Sequence, residues 1–294
     1  MVLRIVPSVM HPNVQAAIND SSPGDSIKIL AGTFDGFEVD VENLKIFGCG
    51  IGRTIIAGAP AQGSNNGVVV DADRTTLQGF TVQGFDQDGI LANSNNNVLK
   101  EIESNFNLSI NIAGNNNLIL NCHSKFSETG FDINGDSNCV IRCESTQNGD
   151  GFQISSIINK IINNHSINNE FSGALVLSSQ IILNNKIIGN GENGLFVGTE
   201  NNMMIDNMVC NNGDSGIFIP SNTNTIDSNI VRNNGTDINN AGILVLAGST
   251  DNIIRFNKAR NNVDFDIEAD PPADMNNTFD GNKCGNSDPP GLCT

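Results

Sequence analysis

The sequence predicts an all-β solenoid in which each turn of chain lies over the one before it. Two observations carry that prediction. The first is a recurring opening in which an Asn, once a Gln, is followed two places on by an apolar residue. It reads Asn97-Val98-Leu99, Asn117-Leu118-Ile119, Asn138-Cys139-Val140, Asn159-Lys160-Ile161, Gln180-Ile181-Ile182, Asn202-Met203-Met204, Asn224-Thr225-Ile226, Asn252-Ile253-Ile254 and Asn277-Thr278-Phe279. The openings return about every 21 to 22 residues, stretched to 28 between Asn224 and Asn252 and to 25 between Asn252 and Asn277. A fixed period of this size is the mark of a solenoid. The second observation is a Gly followed by alternating apolar residues in most periods, as in Gly89-Ile90-Leu91-Ala92, Gly151-Phe152-Gln153-Ile154 and Gly216-Ile217-Phe218-Ile219. Alternation at period two marks half-buried strands.

Taken in chain order, the first element is a short helix over Asn13-Val14-Gln15-Ala16-Ala17-Ile18, with Asn13 as its cap and Val14, Ala17 and Ile18 on one face. Its predicted role is to cover the open edge of the first coil, because unpaired strand edges must be blocked. From Asp25 to Asn282 the period predicts ten to eleven coils. Leucine-rich repeats have a similar length, but their helical half needs good helix formers, and Asn, Gly, Ser, Ile and Val dominate here. Stacking puts equivalent positions in files. The apolar file Leu99, Ile119, Val140, Ile161, Ile182, Met204, Ile226, Ile254 and Phe279 is the predicted interior, joined by Phe131, Phe152, Phe196 and Phe218. Asn recurs at the first, fifth (Asn164, Asn185, Asn207, Asn229, Asn257, Asn282) and tenth places, which explains the surplus of Asn, 48 in the chain. A stacked amide can donate to one neighbour and accept from the other, so these files read as structural ladders. Residues 235–240 are an insertion that predicts a bulging turn. Beyond Asp264 the period fades and Pro271, Pro272, Pro289 and Pro290 appear, as expected of a terminal cap or tail. The predicted organisation is a cap over 1–24, a continuous solenoid over 25–264, and a last coil with a tail over 265–294.

The formal net charge of −17, from 32 acidic and 15 basic residues, argues against nucleic acid as a partner. No apolar run is long enough for a membrane span, and no signal-peptide stretch opens the sequence. The seven Cys are Cys49, Cys122, Cys139, Cys143, Cys210, Cys284 and Cys293. Cys122 and Cys143 occupy the same fifth place in successive coils, compatible with a disulfide or with two buried thiols. Cys284 and Cys293 can pair with each other, or bridge to Cys49 of a neighbouring molecule.

With its period, its Asn files and its opening run, the chain resembles the right-handed parallel β-helix proteins of the pectin-lyase-like superfamily. The resemblance is to the Asn-rich branch of short repeats that includes periplasmic nitrous-oxide-reductase maturation proteins. Val14-Gln15-Ala16-Ala17-Ile18, Ser22-Pro23-Gly24-Asp25-Ser26-Ile27 and Ala31-Gly32-Thr33-Phe34 are similar to that family's capping helix and first coil. The resemblance implies a single-stranded right-handed parallel β-helix and covers nearly the whole chain, but its motifs specify scaffold rather than chemistry. Enzymes on this scaffold carry signatures that are absent here: the Asn-Thr-Asp, Asp-Asp, Gly-His-Gly and Arg-Ile-Lys of polygalacturonases, and the Asp-Pro-His-Asp and Tyr of alginate epimerases. The looser pattern of calcium-dependent pectate lyases, a carboxylate cluster beside a Lys or Arg base, remains.

An acidic file just before the repeated Gly is the candidate for such a cluster. It comprises Asp86, Asp88, Glu128, Asp150, Glu170, Glu192 and Asp214, with Asp86, Asp88, Glu128 and Asp150 as the candidate Ca²⁺ ligands. The candidate bases are Lys125 and Arg142, with Arg74, Lys100 and His123 behind them. His123, Glu144 and His165 fall at the sixth place of successive coils and could present a metal-binding column. Trp and Tyr are absent, which removes the rings that most often stack on sugars. The unbroken register predicts a non-catalytic structural or surface-display protein, extracellular or on a cell or spore surface, self-associating through its ends and through Cys49, Cys284 and Cys293. The alternatives are a calcium-dependent polysaccharide lyase and a glycan-binding module.

Overall fold

The computed structural model describes residues 1–237 and 239–294. The chain is an all-β, right-handed parallel solenoid of about 13 coils and 3% helix. That is two or three coils more than the ten to eleven expected from Asp25 to Asn282: the strand Leu3–Val6, before that span, already pairs into the solenoid, and the early coils stack on Ile27, Ile46 and Leu77 without Asn at the first place. The chain forms two compact units, Met1–Glu144 and Ser145–Thr294.

In the first unit the helix Val14–Asn19 buries Val14, Ala17 and Ile18, and the Asn13 side chain accepts a hydrogen bond from the Ala16 N–H at 2.8 Å. The strand before it, Leu3–Val6, pairs in parallel with Ser26–Ile29, so the predicted cap already contains the first strand of the solenoid. One parallel file then runs through Ser26–Ile29, Lys45–Phe47, Thr76–Gln83, Val98–Asn105, Leu118–Leu120 and Cys139–Ile141, with Leu99 over Ile119 and Ile119 over Val140. A second file joins Phe37–Val39, Val68–Val70, Ile90–Ala92, Ile110–Ile112 and Thr129–Ile133. The inward residues of both are buried and form the core. Cys122 and Cys143 are buried thiols not joined in a disulfide, and the Cys122 N–H donates to Cys143 Sγ at 3.4 Å.

The second unit repeats the plan more strictly. Its interior file is Ile161, Ile182, Met204, Ile226 and Ile254, all buried. The fifth-place ladder is continuous from Asn164 to Asn282. Asn207 illustrates its chemistry: Nδ2 donates to Asn229 Oδ1 at 3.0 Å and to the Ile182 carbonyl at 2.8 Å, while Oδ1 accepts from Asn185 N and Nδ2 at 2.9 and 3.0 Å. The left-handed backbone that turns each corner is held by the residue before the ladder Asn, including Ile158, Asp206, Ser228 and Phe256 at φ near +60°. Side chains that rarely adopt this conformation are kept there by the amide beside them.

Terminal strands Ile267–Ala269 and Ser287–Asp288 continue the parallel pairing, so the solenoid extends through the Pro-containing end. Cys284 and Cys293 are joined to one another, and Cys49 is a free, half-buried thiol. Of the insertion, Asn240 donates from Nδ2 to Asp214 Oδ1 at 3.3 Å, whereas Ile238 lies outside the described residues. Among the described residues no helix is long and apolar enough to cross a membrane.

Candidate functional site: the outer face of the short-strand sheet

The repeated Gly fixes which side chains reach this face. A Cβ on Gly194 would lie 2.3 Å from Val209 Cγ1, and one on Gly216 would lie 2.5 Å from Val231 Cγ1, so no larger residue fits where the chain presses on its own core. The residue after the Gly points inward and the next points outward. In the second unit the outward file is Gln153, Leu175, Phe196, Phe218, Leu244, Glu268 and Asp288, paired coil by coil.

Phe131 and Phe152 directly follow their Gly and are buried as predicted. Phe196 and Phe218 come one residue later and lie on the outer face, half-exposed, which corrects their assignment to the core. A one-residue displacement in a strand moves a side chain to the opposite face. Their ring centroids are 5.5 Å apart with planes inclined by 46°. Gly198 leaves room beside the Phe196 ring, since a Cβ there would meet Phe196 Cε1 at 2.7 Å. Leu175, Phe196 and Phe218, all half-buried, thus make an apolar strip about three coils long, even though the chain has no Trp or Tyr; Leu244, next in register, is buried.

Glu268 ends this strip, in register with Leu244. Its carboxyl pKa is pushed up to about 7, first by burial and then by repulsion from Asp270, Asp264 and Asp288. A carboxyl held there is close to half-protonated at neutral pH and can give or take a proton.

The predicted acidic file falls into three registers. Asp88 and Asp150 stand one place before their Gly; Glu128, Glu192 and Asp214 stand two; Asp86 and Glu170 stand three. Asp88 is buried and accepts from Ser109 Oγ at 2.6 Å, whereas Asp86 and Glu128 are exposed. Burial raises the Asp88 carboxyl pKa. Asp150, in the second unit, is half-buried and accepts from the Ser172 N–H at 3.0 Å. Its pKa is raised by burial and then by Glu192.

On the outer face of the first unit, Glu38 is raised by burial and by Asp71 and Asp40. Asp132 is raised by burial, and its Oδ1 is a buried oxygen with no hydrogen-bond partner. Among the described residues, no three His, Cys, Asp or Glu side chains converge as a metal site.

The candidate bases lie elsewhere. Lys125 pairs with Glu103 at 3.2 Å, Lys100 with Glu101 at 3.4 Å, and Arg74 with Glu42. Arg142 is exposed at a left-handed corner. His123 and Glu144 belong to the first unit and His165 to the second. The signals that sequence reading missed are the Gly-Leu-Phe and Gly-Ile-Phe triplets at Gly194 and Gly216, and the acids around Glu268.

Among solved structures, the chain is similar to the A-module of mannuronan C-5 epimerase AlgE6 from Azotobacter vinelandii, with a TM-score of 0.74 at 15% identity over 93% of this chain and 92% of that one. A mannuronic-acid-specific polysaccharide family 6 lyase from human gut microbiota gives 0.67 at 14% identity, over 97% and 87%. A pectate lyase gives 0.58 at 14% identity, over 98% and 78%. Likeness at this identity establishes the fold. No curated protein matches the chain in sequence. The profile described as "Right handed beta helix region" matches residues 66–207 and 172–292, and the chain belongs to that family.

Proposed function

We propose that this protein engages a polysaccharide along the outer face of the second unit's short-strand sheet, and that Glu268 transfers a proton to or from the bound sugar. The observation that carries this reading is the half-exposed strip Leu175, Phe196 and Phe218, in register through the buried Leu244 with a carboxyl whose pKa is about 7. Apolar rings accept the C–H faces of sugar rings, and a carboxyl poised near neutrality suits proton removal from a ring carbon or protonation of a glycosidic oxygen. The epimerase and lyases named above act on polymers of this chemical class, which supports the same class of ligand here. Action outside the cytoplasm belongs to the reading, since the Cys284–Cys293 bond suits an oxidising compartment.

The test is binding and turnover with mannuronan, polygalacturonan, rhamnogalacturonan and α-1,3-glucan oligosaccharides. Wild type binds at least one of them, and Glu268→Gln retains binding while losing turnover. Failure of every oligosaccharide to bind overturns the proposal. Binding without turnover in the wild type leaves a glycan-binding module, and the uninterrupted ladder from Asn164 to Asn282 favours that second reading.

A further inference from the structure

Four of the chain's 15 basic residues gather on a different outer face of the second unit. Strands Ile230–Arg232 and Lys258–Arg260 stack in parallel, with Ile230 opposite Lys258 and Arg232 opposite Arg260. Lys258 in turn bridges to Lys283 of the next coil. Val231 and Ala259 point inward, and the flanking residues point out and are exposed. Ile230, Arg232, Lys258, Arg260 and Lys283 line a cleft of about 280 Å³.

This arrangement goes against the rest of the molecule. Like charges directly opposite one another on neighbouring strands are destabilising, yet Arg232 faces Arg260 and Lys258 faces Lys283. With 32 acidic residues in the chain, none of these four cations forms an ion pair among the described residues. Arg255, on the adjoining strand, does pair with Asp227, at 2.7 Å. Where a local rule is broken without internal compensation, a ligand is the expected compensation.

We propose that Arg232, Lys258, Arg260 and Lys283 form a subsite for a linear anionic glycan bearing carboxylate or sulfate groups. The proposal takes its class of polymer from the carbohydrate reading above but does not depend on Glu268 or on turnover. The cations recur over three successive coils at about 4.8 Å per coil, close to the length of one pyranose unit, so a glycan with one acid group per sugar meets about one cation per step. Ile230 supplies an apolar floor for a ring. The patch also gives an anionic polymer one place to approach a chain of net charge −17 without a bridging cation.

The test is titration of the full chain with oligogalacturonate, a chondroitin sulfate oligosaccharide, a neutral glucan oligosaccharide and duplex DNA, at about 50 mM and about 200 mM salt. Binding of either acidic glycan, weakened by salt and about tenfold or more weaker in Arg232→Gln with Arg260→Gln, is the expected result; the two glycans report whether carboxylate or sulfate is preferred. Lys45→Gln with Lys160→Gln, two exposed strand lysines outside the patch, removes the same two charges and controls for net charge. Equal affinity for DNA, no binding of either acidic glycan, no difference between the double variant and the control, or self-association abolished by the double variant would each overturn the proposal. Phe196→Ala with Phe218→Ala reads the other face independently, so failure of one site is separable from failure of the other.

Discussion

Phe196 and Phe218 lie one coil apart on the same outer face, their ring centroids 5.5 Å apart, and neither contributes to the interior. Nothing in the fold requires rings there, since Leu175 and Leu244 fill the equivalent places in adjacent coils. Replacing both Phe by Ala is therefore expected to leave the solenoid folded and to weaken glycan binding about tenfold. Calorimetric titration beside a thermal melt checks both halves.

The Glu268 carboxyl gives a defined pH dependence. Its pKa rises from 4.5 in the ordinary state to about 7 in the folded protein, so between these values the folded chain holds more protons than the unfolded one. Its stabilising contribution is fully present below about pH 4.5 and is lost as pH rises towards about 7. Glu268→Gln should flatten stability over this window and be the more stable protein at pH 8, measured by urea unfolding of both forms across the range.

Asn207 makes four hydrogen bonds from a buried side chain. Asn207→Ala leaves the Ile182 carbonyl and the amides of Asn185 and Asn229 without that partner, at an expected cost of about 3 kcal/mol. The same change at Asn65, an exposed residue outside the ladder and not at a left-handed corner, should cost under about 0.5 kcal/mol. Urea unfolding of the two variants gives the comparison, and equal losses would contradict the ladder's role.

The solenoid was legible because burial imposes strict register: Leu99, Ile119 and Val140 recur at the period and stack as expected. The surface face was not, because nothing buried enforces it. Phe131 and Phe196 look alike in sequence, and only their distance from the preceding Gly, one residue or two, separates core from surface. Glu268 and Asp288 are 20 residues apart and meet through coil closure. Arg232 and Arg260 are 28 residues apart because the 235–240 insertion lengthens that coil, which hides their pairing from a period of 21 to 22. The acidic residues before each Gly looked like one file because their sequence positions are close, while in strands a shift of one or two places sends them to different environments.

The Cys284–Cys293 bond closes a loop of nine residues at the last coil. Reduction should destabilise that end by about 2.5 kcal/mol on the chain-entropy account, seen as faster amide exchange in strand Ser287–Asp288 and in Thr278–Asp280, with the strands from Lys160 to Leu183 unaffected.

Amide exchange of the full chain with and without saturating oligosaccharide, drawn from the four polymers named above, tests the sugar-facing sheet most directly. Added protection is expected in Leu195–Val197, Ile217–Ile219, Ile243–Val245 and Ile267–Ala269. Protection confined to other strands, or none with any of the four, would contradict the assignment of this face.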